Sequence, residues 1–207
     1  MRDLVGKGRR ARIFNLATVS VLLFVSVGLN IALARRVSSL KASLDTVRSE
    51  GRLQVGATVP VIRGHSIAGA QQTLDYGDVQ IPTVLYVFTP QCGWCKKNLD
   101  NLRALIYSSG SGYRLVGVSL TRQDLKEYLA KERLSLPVYT DVGDSTRATY
   151  RLGLTPTTII ISPEARVLKV WSGVYTDGIR QEIEAYLNVR LPGCCNPAAV
   201  DQSGPSS

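Results

Sequence analysis

Long and short apolar segments alternate with amphipathic ones along this chain. Residues 13–34 form a run of 22 residues without a charged side chain, and a helix of that length crosses a bilayer core of about 30 Å. Shorter runs rich in β-branched residues lie at 81–88, 113–120 and 157–162. Such short runs are typical of strands that are covered on both faces, as in a parallel sheet.

The first two short runs flank a segment with helical periodicity. Its apolar positions recur at intervals of three and four residues, at Leu99, Leu102, Leu105 and Ile106. The order strand, helix, strand predicts a crossover unit with two parallel strands. Thr121 and Asp124 then resemble a capping box that opens a helix reaching about Arg133.

The last third of the chain predicts five more elements. A short extended piece at 136–141 is followed by a helix over 144–152 that a glycine stops. The segments 157–162 and 166–173 predict a β-hairpin, because a short turn sequence separates them. Thr176 is placed to cap a final helix whose inward face holds Ile179, Ile183, Tyr186 and Leu187.

Basic residues precede the long apolar run. Five Lys/Arg residues lie before it against one acid, Asp3. Because positive charge stays on the cytoplasmic side of a membrane, we expect a signal-anchor, with residues 1–12 in the cytoplasm and everything after Ala34 outside. A cleaved signal peptide is the alternative, since "ALA" at 32–34 resembles a cleavage site. Either way, the domain that follows is exported.

An amphipathic stretch at 35–52 follows the apolar run. Its apolar stripe has 3-4-3 spacing and consists of Val37, Leu40, Leu44 and Val47. The stripe predicts a short helical stalk. The same pattern occurs in coiled coils, so a dimer is an open alternative.

The net charge of +9 is concentrated near the N-terminus. Residues 1–52 contain 10 Lys/Arg and 3 Asp/Glu, whereas residues 53–207 contain 15 and 13. A nucleic-acid-binding protein carries its basic face on the folded domain. The charge distribution therefore favours membrane topology over a nucleic-acid partner.

Two cysteines lie three residues apart in TPQCGWCKKNL, directly after the first short apolar run. Haem attachment requires a histidine after the second cysteine, where this chain has Lys96. Structural zinc requires four ligands, and the remaining candidates are His65, Cys194 and Cys195. We therefore expect neither a metal nor another cofactor.

A redox dithiol fits the place of this pair in the chain. Cys92 is expected where a strand ends and a helix begins, and the free N–H groups and the dipole of a helix start favour a thiolate. A thiolate is the species that attacks disulfides. Cys95 lies one turn later, close enough to resolve a mixed disulfide. A static disulfide is the alternative, although closing so short a loop stabilises a fold little.

The segments VLYVFTPQCGWCKKNL and LGLTPTTIIISPEARVLKVWSGV resemble the thioredoxin superfamily, in particular its membrane-anchored, extracytoplasmic TlpA/ResA-type proteins. The resemblance covers roughly residues 53–190. It implies an α/β thioredoxin-like fold, in which helices flank a central mixed sheet. It also implies thiol–disulfide exchange with protein substrates through Cys92 and Cys95.

The resemblance assigns further site residues. In the family, the proline of the second motif is cis and faces the cysteines, and it corresponds to Pro156. The backbone of Thr155 would pair with an extended substrate segment, and Trp94 would belong to the same substrate-binding surface.

Three features depart from the family pattern, and they put the redox potential in question. The buried aspartate of thioredoxin corresponds to Tyr86, so another acid or water would have to transfer protons. The tryptophan before the first cysteine corresponds to Gln91, and the dipeptide between the cysteines is Gly93-Trp94.

The tail (191–207) is small, polar and rich in proline. It contains the adjacent residues Cys194 and Cys195. Three roles stay open for them: a feature without a catalytic part, a second dithiol that relays electrons to or from Cys92 and Cys95, or a bond between two chains.

The expected protein is thus a membrane-tethered thiol–disulfide oxidoreductase with one helix in the cytoplasmic membrane and its domain on the extracytoplasmic, periplasmic side. Its expected partners are proteins with thiols or disulfides and an electron donor or acceptor. One alternative is a thiol peroxidase, because Thr89 has the peroxiredoxin spacing to the first cysteine, although Leu85 replaces the upstream proline. The other is a binding module with a static disulfide.

Overall fold

The computed structural model describes residues 22–23, 25–39, 41, 53–110 and 112–193. The chain divides into two compact units, Met1–Gly51 and Arg52–Ser207. In the first unit the described residues are exposed and helical, and they form α1 (22–23, 25–39 and 41). Among the described residues, no helix combines the length and apolarity that a membrane crossing requires.

Several predicted features fall outside the described residues. The first part of the predicted anchor (13–34) does so, as do Leu40, Leu44 and Val47 of the predicted stalk stripe. Cys194 and Cys195 also lie outside them. The anchor, the stalk and the roles of the tail cysteines therefore stay predictions.

A five-stranded mixed sheet forms the centre of the second unit, in the order β5-β4-β3-β6-β7. Three strands are parallel: β3 (Thr83–Phe88), β4 (Arg114–Ser119) and β5 (Val138–Tyr139). The other two, β6 (Thr157–Ile161) and β7 (Val167–Ser172), form the predicted hairpin, and β6 runs antiparallel to β3. A separate antiparallel pair, β1 (Ile62–His65) and β2 (Gln71–Leu74), meets the end of β5 through the His65–Thr140 bridge.

The described part of the second unit also contains five helices: α2 (Gly93–Lys97), α3 (Leu99–Tyr107), α4 (Leu125–Lys131), α5 (Asp144–Thr149) and α6 (Asp177–Leu187). The central strand β3 is buried at all six positions, which confirms the prediction of a strand covered on both faces. Val84, Tyr86 and Phe88 share a core with α3, α4 and α6, whereas Leu85 and Val87 share one with the β1–β2 pair. The predicted α/β class with a mixed sheet and flanking helices is confirmed.

The capping box predicted at Thr121 and Asp124 is wrong. Because α4 begins at Leu125, Asp124 lies at its N-cap position, with a left-handed backbone (φ 56) and no side-chain capping bond. Its carboxylate accepts a hydrogen bond from Gln91 Nε2 at 3.1 Å. The Thr121 hydroxyl accepts the Gln123 N–H at 3.2 Å, the local turn that threonine side chains often close. The helix ends at Lys131, before the positive φ of Arg133.

Three other local predictions need correction. The helix predicted over 144–152 ends at Thr149, because Arg151 turns the chain with a φ of 52°. The helix predicted after the cysteines is two helices that meet at Asn98. Tyr186 is 41% exposed rather than buried. Its ring lies edge-on to the ring of Trp171, with centroids 6.4 Å apart.

Candidate active site

Cys92 occupies the N-cap position of α2, just beyond the carboxyl end of β3. A turn closes between them, because the Cys92 N–H donates to the Thr89 carbonyl at 3.1 Å. The Cys95 N–H donates to Cys92 Sγ at 3.0 Å, so a helix-start N–H contacts the sulfur itself. Hydrogen bonds of this kind favour the thiolate over the thiol.

The two cysteines form a disulfide, with Cα atoms 5.2 Å apart. Cys92 is half-buried, whereas Cys95 is 1% exposed and belongs to the core. A partner molecule can therefore reach the sulfur of Cys92 but not that of Cys95. This asymmetry matches the order of roles expected for an attacking and a resolving cysteine.

The second motif lies directly against the first. The Thr155–Pro156 peptide bond is cis, and the Thr155 carbonyl oxygen is 3.5 Å from Cys92 Sγ. Pro156 is buried and Thr155 is half-buried. The structure thus brings together Cys92, Cys95, Thr155 and Pro156, the residues that the resemblance singles out.

Two large apolar side chains lie exposed next to these residues. Trp94 and Leu154 are each 58% exposed. Trp94 is two residues after Cys92, and Leu154 directly precedes Thr155. Lys97 Nζ lies 4.4 Å from the centre of the Trp94 ring. We did not predict Leu154 from the sequence, where its position just before Thr155 was the only signal.

Tyr86 holds the position of the buried aspartate of thioredoxin. It is 1% exposed, and burial, followed by the nearby Tyr175, raises its pKa well above the usual value. Asn98 acts in the opposite direction on this pKa, yet the Tyr86 hydroxyl has no partner at full hydrogen-bond geometry among the described residues. Because its pKa is raised, Tyr86 is uncharged at physiological pH.

Gln91, at the position of the family tryptophan, forms hydrogen bonds through its side chain. Its side-chain amide donates to Asp124 Oδ2 at 3.1 Å and to the Gln123 carbonyl at 3.3 Å. The turn before Cys92 is thereby joined to the start of α4.

Asn98 is a site residue that the sequence reasoning missed. It is fully buried three residues after Cys95, and its side chain bonds to the loop after β7. The signal was present in the sequence, because 95, 98, 102 and 105 form one helical stripe in which an amide interrupts apolar side chains.

Among the described residues, the candidate zinc ligands form no metal-binding cluster. His65 ends β1, and its Nδ1 is 3.9 Å from Asp141 Oδ2. Within 22–23, 25–39, 41, 53–110 and 112–193, no cluster of three or more His, Cys, Asp or Glu could hold a metal ion. Cys194 and Cys195 are outside those ranges.

A family model described as the AhpC/TSA family matches residues 55–170, more than half of the chain. The chain belongs to the AhpC/TSA family. Within the matched range lies the CxxC pair of Cys92 and Cys95. No curated protein sequence matches the chain significantly.

Solved structures share the fold of this AhpC/TSA-family chain. The thioredoxin domain of a thiol-disulfide oxidoreductase from Bacteroides vulgatus is 20% identical, with a TM-score of 0.55, covering 66% of this chain and 99% of that one. A candidate thiol:disulfide interchange protein DsbE from Chlorobium tepidum is 19% identical, with a TM-score of 0.56 and coverages of 66% and 97%. A DsbF homologue from Corynebacterium diphtheriae is 20% identical, with a TM-score of 0.52 and coverages of 63% and 87%. These matches establish the thioredoxin-like fold.

Proposed function

We propose that this protein is a membrane-tethered, extracytoplasmic thiol–disulfide oxidoreductase that exchanges disulfides with protein substrates. One observation carries the exchange chemistry. Cys92 is half-buried, and its Sγ lies 3.0 Å from the Cys95 nitrogen and 3.5 Å from the Thr155 carbonyl oxygen. A sulfur that accepts a helix-start N–H, next to a backbone carbonyl, suits attack on a disulfide in an extended substrate segment.

The exchange runs in two balanced steps. In the reducing direction, the Cys92 thiolate attacks one sulfur of a substrate disulfide, which forms a mixed disulfide and releases one substrate thiolate. The Cys95 thiolate then attacks Cys92 Sγ, which forms the Cys92–Cys95 disulfide and releases the second substrate thiolate. The protein thus gives two electrons to the substrate. The two protons leave the Cys92 and Cys95 thiols when these form thiolates, and the two released substrate thiolates take up protons from solvent. The oxidising direction reverses each step.

The surroundings of Cys92 support a protein as the substrate. The Thr155 carbonyl can accept an N–H from a substrate segment that lies beside it as an added strand. Trp94 and Leu154 offer exposed apolar surface at the same place, where burial against a partner is favourable.

The test of this function uses the reduced full chain, the disulfides of insulin and, separately, a hydroperoxide. We expect stoichiometric reduction of insulin, with one Cys92–Cys95 disulfide formed per substrate disulfide, and slow reaction with the hydroperoxide. Equilibration of the pair with glutathione then gives the redox potential and the direction of electron flow. Fast peroxide consumption without insulin reduction would favour the peroxidase, and no reaction with either would favour a binding module.

The membrane tether is a separate part of the proposal. It is supported by the 22 uncharged residues at 13–34 and by the five basic residues before them, since this is the pattern of a signal-anchor. We expect alkaline carbonate to leave the protein in the membrane pellet, and protease added outside the cytoplasm to digest the domain. A soluble chain that begins near Arg35 would show a cleaved signal instead.

A further inference from the structure

Asn98 lies at the junction of the two helices that carry and follow the cysteines. Its backbone has φ −95° and ψ 1°, which ends α2 and starts α3. The Asn98 N–H donates to the Cys95 carbonyl at 3.0 Å, and the Asn98 carbonyl accepts the Leu102 N–H at 2.8 Å. Asn98 therefore joins α3 to the short helix α2, which Cys92 caps.

The side chain of Asn98 reaches across to the loop after β7. Its Nδ2 donates to the Gly173 carbonyl at 3.4 Å, and its Oδ1 accepts the Tyr175 N–H at 2.9 Å. An amide provides both a donor and an acceptor, so one side chain holds two backbone groups. Asn98 is 0% exposed, and leaving such buried backbone groups without partners costs free energy.

The same loop holds the second motif. The Gly173 N–H donates to the Pro156 carbonyl at 2.8 Å, and the Tyr175 hydroxyl bonds to Thr158 Oγ1 at 2.6 Å. Both partners flank the start of β6. A closed circuit of contacts thus runs from Cys95 through Asn98, the loop and Pro156 to Thr155, whose carbonyl returns to Cys92 Sγ.

We propose that Asn98 is the positioning residue of this site, and that it holds the cis-proline segment at the correct distance from Cys92 for protein substrates. The proposal rests on the proposed function. The side-chain hydrogen bonds of Asn98 go to Gly173 and Tyr175 and not to either sulfur, so Asn98 acts through these two residues. A protein substrate must contact Cys92 and the Thr155 backbone together, whereas a small disulfide needs only Cys92. Loss of the circuit should therefore slow protein substrates selectively.

The test compares two substrates of the full chain, insulin and hydroxyethyl disulfide. The quantity measured is the ratio of the second-order rate constant for insulin to that for hydroxyethyl disulfide, each taken from a single oxidation of the reduced protein. For Asn98→Ala we expect this ratio to fall about tenfold, the effect of losing one or two hydrogen bonds that matter only for one substrate. Asn98→Asp keeps the acceptor for the Tyr175 N–H, so its ratio should lie between those of Asn98→Ala and wild type.

Asn101→Ala is the matched control. Asn101 is a second fully buried amide on the same helix, but its Oδ1 accepts the Gly193 N–H at 2.9 Å and lies outside the circuit. Asn101→Ala should lower the melting temperature and leave the ratio unchanged.

Equal ratios for the Asn98 variants and wild type would overturn the positioning role while exchange itself persists. If wild type exchanged with neither substrate, the proposed function would fail instead. Should Asn98→Ala fail to fold, the ratio of Asn98→Asp decides.

Discussion

The two cysteines of the pair differ in what surrounds each sulfur. Cys92 is half-buried and its Sγ accepts the Cys95 N–H, whereas Cys95 is packed in the core. We expect Cys92→Ser to abolish exchange and Cys95→Ser to accumulate mixed disulfides with the substrate, because only the first sulfur is accessible. Non-reducing gels after incubation with insulin measure both effects. Retained exchange in Cys92→Ser, with trapping lost in Cys95→Ser, would reverse the two roles.

A second prediction at the residue scale concerns Tyr86. Its hydroxyl is buried without a full hydrogen bond among the described residues, so Tyr86→Phe removes a polar atom and no strong contact. We expect the melting temperature and the exchange rate to stay close to those of wild type, since deleting an unsatisfied buried group is nearly neutral or stabilising. Thermal unfolding and insulin reduction check this. A large loss of exchange in a stable variant would make the hydroxyl a proton donor.

At the scale of elements, the contact between β1 and the end of β5 depends on a glycine. A Cβ added at Gly64 would lie 2.7 Å from the Thr140 carbonyl oxygen, in the stretch where His65 and Thr140 exchange two backbone hydrogen bonds of 2.8 and 2.9 Å. Because the obstacle is backbone, the strands must separate. We expect Gly64→Ala to lower the free energy of unfolding by about 1–3 kcal/mol.

Gly153→Ala is the control for this prediction. Its added Cβ would meet nothing within 4 Å, so its effect should stay within about 0.5 kcal/mol. Denaturant unfolding of both variants measures the difference. Equal stabilities would mean that β1 can move away from β5 at no cost.

At the scale of the whole molecule, buried tyrosines make stability depend on alkaline pH. Burial raises the pKa of Tyr113, Tyr128 and Tyr150 to about 12, compared with about 10 in an unfolded chain. The folded state therefore holds these protons more tightly. The stabilisation is complete below about pH 10 and is lost as the pH rises through about 12.

We expect the oxidised protein to unfold in this alkaline window, with tyrosinate absorbance and circular dichroism changing together. Tyr113→Phe should make the pH dependence shallower, because it removes one raised pKa. Tyr107→Phe is the control, since Tyr107 is 92% exposed, and it should leave the dependence unchanged. Tyrosinate absorbance that rises fully while the fold persists would contradict the prediction.

The sequence by itself determined the features that short stretches of chain encode. A strand covered on both faces, the β6–β7 hairpin and the place of Cys92 at a strand-to-helix junction all follow from apolar runs and spacing within some ten residues. The family resemblance added Thr155 and Pro156. Local patterns were sufficient there because burial of neighbouring side chains decides the local backbone.

The tertiary structure decided what depends on residues far apart in the chain. Thr155 comes 63 positions after Cys92, so no local pattern could place its carbonyl 3.5 Å from the sulfur. The positioning role proposed for Asn98 depends on Gly173 and Tyr175. The Asp124 carboxylate, predicted to cap a helix, instead accepts a hydrogen bond from Gln91. In each case a buried or semi-buried polar group bonds to whichever partner the packed chain brings near, and the fold alone determines that partner.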